Sequence, residues 1–113
     1  MSNGKTWGYA FVINDTNRFA LPICIEFDLV NLMDSPRIRF NGDNSSYAYV
    51  LTTTGHYKIS ILTESATLKI DDNAPFHLPS LESLAKSNGV GVYWELDTDT
   101  DKLNYKNFMI YSI

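Results

Sequence analysis

The stretch from Gly55 to Asp72, GHYKISILTESATLKIDD, alternates apolar and polar residues, breaks at a short polar corner and then alternates again. A period of two is the signature of a strand with one face buried and one face wet. Tyr57, Ile59 and Ile61 share one face, and Ala66, Leu68 and Ile70 share a face of the return strand. Cross-strand pairing of the two sets makes a continuous apolar surface for a second sheet, with Lys58, Ser60, Thr67 and Lys69 turned to solvent. A chain built around this hairpin folds as an all-β layer structure, with the hairpin as one wall.

The rest of the chain follows the same rule. TWGYAFVI sets Trp7, Tyr9, Phe11 and Ile13 on one face. LPICIEFDLVNL turns Ile23, Ile25, Phe27 and Leu29 inward and Cys24, Glu26, Asp28 and Val30 the other way. Pro22 fits only the beginning of that strand or an edge. A turn at residues 33–36 precedes RIRF, and in NGDNSS the pair Asn41-Gly42 suits a turn whose central residues need positive φ. YAYVL, VGVYWELD and LNYKNFMIYSI complete the strands, with TTTG and DTDTDK as turns. One segment differs: LPSLESLAKSNG spaces Leu81, Leu84 and Ala85 at helical intervals, with Ser80 as N-cap and Gly89 as stop. It predicts a short helix plugging one end. About eight strands at turn intervals of roughly ten residues predict a single domain over 1–113, an antiparallel β-sandwich or barrel with one short helix.

Composition narrows the function classes. With 44% hydrophobic and 13% aromatic residues the chain gains by collapsing, which excludes disorder. The formal charge is -4 and the nine Lys and Arg are scattered singly, so the basic footprint of a nucleic-acid binder is missing. No apolar run approaches the ~20 residues that span a bilayer, and MSNGKTWGYAF lacks the charged start and apolar middle of a signal peptide. The one cysteine, Cys24, forms no intrachain disulfide and reads as a small buried hydrophobe between isoleucines.

No catalytic constellation is visible. His56 and His77 are far apart and in no nucleophile or metal motif, so no enzyme is expected. Glu26 and Asp28 lie on one strand face about 7 Å apart, the alternate spacing at which glycosidases place acids. Their plainer reading is the wet face of a strand whose other face is core. In LDTDTDKL, Asp97, Asp99 and Asp101 alternate as hard oxygen ligands for Ca²⁺ could, but without the glycine and distal Glu of an EF-hand. The expectation is no cofactor, with Ca²⁺ at this corner as the alternative.

Aromatic residues carry the binding signal, because sugar rings stack on Trp and Tyr while polar groups orient their hydroxyls. Adjacent strand residues face opposite ways. If Trp94 packs with Val90 and Val92, Tyr93 and Glu95 form a small exposed platform. Tyr47 and Tyr49 oppose Ala48 and Val50, so one pair faces outward or into a neighbouring chain. Tyr93, Glu95, Trp94, Tyr47 and Tyr49 are the candidate ligand-binding residues.

ALPICIEFDLVN, GHYKISILTESATLKIDD and LNYKNFMIYSI together resemble the strands of carbohydrate-binding-module and concanavalin A-like jelly rolls. Short sandwiches of this kind also occur in phage tail and baseplate proteins. The resemblance implies a jelly roll that binds a polysaccharide or glycan without catalysis, in cell-surface adhesion, extracellular or on a virion. It also implies a role for Asn107, at the acid-or-amide position before the last apolar run, and a second Ca²⁺ position joining Asp71 or Asp72 to Asn107. The alternative is a structural domain of a virion or tail, without glycan binding, that forms a homo-oligomer or part of a larger assembly.

Overall fold

The computed structural model describes residues 19–33, 35–42, 46–84, 89–95 and 104–113. The strand expected over 7–13 and the corner carrying Asp97, Asp99 and Asp101 lie outside the described residues. Among the described residues the elements run β1 (Ile23–Leu29), β2 (Arg37–Asn41), β3 (Ser46–Val50), β4 (Gly55–Ile61), β5 (Ala66–Ile70), β6 (Phe76–His77), α1 (Pro79–Leu84), β7 (Gly91–Glu95) and β8 (Tyr105–Ser112).

These strands form two antiparallel sheets, one ordered β6-β5-β4-β1-β8 and the other β3-β2-β7. The β1–β4 register pairs Ile23 with Ile61, Ile25 with Ile59 and Phe27 with Tyr57, and β4–β5 pairs Ile59 with Leu68 and Ile61 with Ala66. All of these residues are buried. From the smaller sheet Ile38, Phe40, Val92 and Trp94 face them, each with no exposed surface. The layers interlock where the Trp94 ring meets Phe27 edge-on at 5.4 Å. Each large side chain taken out of water here contributes about 1.5–3 kcal/mol, and this drives the sheets together. Buried Tyr57 keeps its hydroxyl satisfied by donating to the Thr53 carbonyl at 2.7 Å. The opening hairpin is therefore the expected wall, and the chain is an all-β sandwich.

Two local expectations are corrected, and one short strand is added. Asn41 pairs with Ser46 inside the β2–β3 ladder, so the connection begins at Gly42 and Asn41 is not a turn centre. The helix begins at Pro79, whose fixed φ and missing N–H suit a first turn, so Ser80 lies within that turn and does not cap it. The two-residue β6 forms from PFHL, a segment too short for any periodicity to mark. Helix α1 still sits against both β3 and β5, with Leu78 and Leu81 buried, and so closes one end of the sandwich. Among the described residues no helix is long and apolar enough to cross a membrane.

The last strand carries a bulge. Its register against β1 shifts between Glu26 and Asp28, and Asn107 sits at φ +57°, a conformation asparagine tolerates better than most residues. The extra residue lets Tyr105 and Phe108 both turn to the core, where their rings lie 5.3 Å apart and Phe108 stacks on Phe27 at 5.6 Å. It also aims the Asn107 side chain across the outer face of β1.

Candidate functional site

The outer face of the five-stranded sheet carries a connected polar cluster at its centre. Outward positions of β1 supply Glu26 and Asp28, and the antiparallel register sets Lys58 and His56 of β4 directly opposite them. The His56 ring lies between the two carboxylates, with Nδ1 2.7 Å from Asp28 Oδ1 and Nε2 2.8 Å from Glu26 Oε1. Only the imidazolium donates from both nitrogens, so this geometry fits a charged ring. The remaining carboxylate oxygens are also taken. The Asn107 amide donates to Asp28 Oδ2 at 2.7 Å, and the Tyr111 hydroxyl donates to Glu26 Oε2.

Glu26, Asp28, His56 and Tyr111 each shift in the direction this network dictates. The Tyr111 hydroxyl and then His56 hold the Glu26 carboxyl below its ordinary range. Asn107 and then His56 do the same for Asp28. Asp28 and then Glu26 raise His56. Tyr111 is pushed up by its contacts with Cys24 and then Glu26. Cys24, on the same face beneath these groups, is fully buried as expected, with Sγ 4.0 Å from Ser60 Oγ.

Beside the cluster the β4–β5 hairpin ends in a tight corner. Gly55 has φ +145°, and a Cβ there would come within 2.6 Å of Asp71 Oδ2. The glycine thus admits the Asp71 carboxylate, whose Oδ1 accepts from the His56 backbone N–H at 2.8 Å. The Asp71 N–H in turn donates to the His56 carbonyl at 2.8 Å. Glu26, His56, Lys58, Lys69, Asp71 and Asp72 line an open depression of about 350 Å³.

Chemically the arrangement does not suit a free acid–base pair. A general base needs a free lone pair, and both His56 nitrogens are engaged. A glycosidase acid needs a raised pKa, whereas both carboxyls here are lowered. Among the described residues no group of three or more His, Cys, Asp or Glu side chains is arranged to hold a metal ion. Asn107, the amide of the second expected Ca²⁺ position, donates through its nitrogen to Asp28 Oδ2.

The aromatic candidates fall elsewhere. Trp94 is fully buried against Phe27 and Tyr105, so it belongs to the core and is no surface platform. Tyr47 and Tyr49 pair with Phe40 and Ile38 on the inner face of the smaller sheet, half-buried, with burial raising both phenols. The outward pair on β3 is Ala48 and Val50, the latter 50% exposed. Tyr93 and Glu95 occupy β7 positions opposite Arg39 and Arg37, and their side chains lie outside the described set. The residue that sequence reasoning missed is His56. Its signal was present, since His56 and Lys58 alternate outward on one strand and Glu26 and Asp28 on another, but only the register joins them. The chain matches no protein-family model, no curated protein and no solved structure at a significant level.

Proposed function

We propose that this domain is a non-catalytic binding module that holds a carbohydrate on the outer face of its five-stranded sheet. The observation that carries the reading is the open depression lined only by charged side chains, Glu26, His56, Lys58, Lys69, Asp71 and Asp72. Donors and acceptors fixed on neighbouring strands suit a hydroxyl-rich ligand, because each sugar hydroxyl both donates and accepts and gains most from partners already in position. The Glu26–His56–Asp28 network supplies that rigidity and leaves no lone pair on the ring for proton transfer. The jelly-roll resemblance of the strand sequences points the same way, to glycan adhesion outside a cell or on a virion. Isothermal titration against a panel of cell-wall polysaccharides tests the proposal. Saturable binding that weakens in a Glu26→Gln, Asp72→Asn double variant is the expected result, and silence across the panel removes it.

A second reading, a structural domain that associates with other copies, is favoured by one observation. Val30, Leu32 and Met33 are each more than 40% exposed on one loop. Asn104 pins that loop, its amide donating to Asn31 Oδ1 and to the Met33 carbonyl, each at 2.7 Å. Light scattering on the eluting protein separates the readings, since a monomer at high concentration leaves this apolar knob without a self-partner.

A further inference from the structure

The two lysines of the depression stand in an unusual relation. In the β4–β5 ladder Lys58 lies directly opposite Lys69. Residues so paired on one face of a sheet hold their Cβ atoms about 4.5–5.5 Å apart, and like charges there repel. The carboxylates close by are largely committed to other donors. Glu26 accepts from Tyr111 and His56, Asp28 from Asn107 and His56, and Asp71 Oδ1 from a backbone N–H. Among the described residues neither lysine takes part in an ion pair. Two lysines with donors to spare thus share the wall of an open depression of about 350 Å³, room enough for a sugar ring.

We propose that the ligand of this face is an acidic saccharide whose carboxylate or sulfate group seats between Lys58 and Lys69, an assignment that rests on the carbohydrate reading above. An anion there relieves the repulsion between the lysines and accepts charge-assisted hydrogen bonds from both, the strong class of such bonds. Asp72 and the Asp71 oxygen not bonded to His56 remain on the rim as acceptors for ring hydroxyls. A bare anion offers those carboxylates nothing and meets their repulsion, so the site selects an anionic group carried on a polyol over a free ion. With a formal charge of -4 the chain does not draw anions from a distance, so selectivity arises from contact and weakens as salt screens it.

Titration calorimetry on two matched pairs tests this: polygalacturonate against its full methyl ester, and dextran sulfate against dextran. The expected result is that at least one acidic probe binds about tenfold tighter than its neutral partner at low salt, the effect of roughly one charge-assisted hydrogen bond. Lys58→Gln and Lys69→Gln should each remove most of that difference. Lys69→Gln should not melt below the parent, since it relieves a like-charge pair. Lys58→Gln also removes a cation opposite Glu26 and is compared at matched folded fraction. The pair that shows the difference identifies carboxylate or sulfate as the group bound. Equal affinity for acidic and neutral partners overturns the acidic assignment and leaves the carbohydrate reading standing. An acidic preference that survives both lysine substitutions also overturns it. Binding of none of the four probes overturns the acidic assignment, and the carbohydrate reading then falls only with silence across the wider polysaccharide panel.

Discussion

His56 and Asp28 face each other across the β1–β4 ladder, with Nδ1 of the ring 2.7 Å from Oδ1 of the carboxylate. Glu26, two residues back on the same strand, holds the other ring nitrogen. Three ionisable groups from two strands are thus one unit, and the pH dependence of the fold should report it.

The signs follow from the shifts. His56 is raised from its ordinary value of 6.5, so its contribution is fully present below about that pH and is lost as pH rises through the higher folded value. Glu26 and Asp28 are lowered from 4.5 and 3.8, so theirs are present above those values and are lost as pH falls through the lower folded ones. The melting midpoint should therefore be highest between about pH 4.5 and 6.5 and decline on both sides. In His56→Gln the decline above pH 6.5 should flatten. Thermal melts from pH 3 to 9 check this, and an unchanged alkaline limb in the variant would show that His56 is not its source.

Gly55→Ala should destabilise the domain by about 1–3 kcal/mol, the range for a non-glycine residue held in a sparsely populated backbone region. The new Cβ would also lie 2.6 Å from Asp71 Oδ2. Adding Asp71→Ala should recover the steric part and leave the backbone part. Chemical denaturation of the two variants separates them, and a parent-like midpoint for Gly55→Ala contradicts the corner geometry.

Ile59→Asp and Leu68→Asp should each unfold the chain, because both side chains are fully buried between the sheets and an unpaired carboxylate has no partner there. Trp94→Ala should cost about 3–5 kcal/mol, as truncating a large buried aromatic does. Circular dichroism melts decide both. A cooperative transition near the parent temperature in either Asp variant reverses the inward face of the hairpin.

The sandwich was legible because alternation is a local signal: Ile23, Ile25, Phe27, Ile59 and Leu68 announce their face within their own strands. The face of Trp94 stayed open in the sequence, since Val90 and Val92 share its parity but only its packing on Phe27 makes that parity the inner one. The polar cluster was not legible. Glu26 and His56 are 30 residues apart and meet only through the β1–β4 register, which depends on how both strands pack on the smaller sheet. Tyr47 and Tyr49 were ambiguous for a related reason, because two alternating faces of YAYVL are both apolar and only the opposing Phe40 and Ile38 decide which turns inward. Asn107 needed the bulge, a one-residue irregularity that strict alternation conceals.

The most direct measurement is an NMR titration of isotopically labelled protein with the tightest-binding saccharide, followed by amide and imidazole shifts. Binding at the outer face predicts saturable changes at His56, Lys58, Lys69 and Asp71, with the inner-face amides of Ile59 and Leu68 moving less. Changes confined to the loop of Val30, Leu32 and Met33, with the His56 ring unmoved at saturation, would contradict the assignment of this face as the binding site.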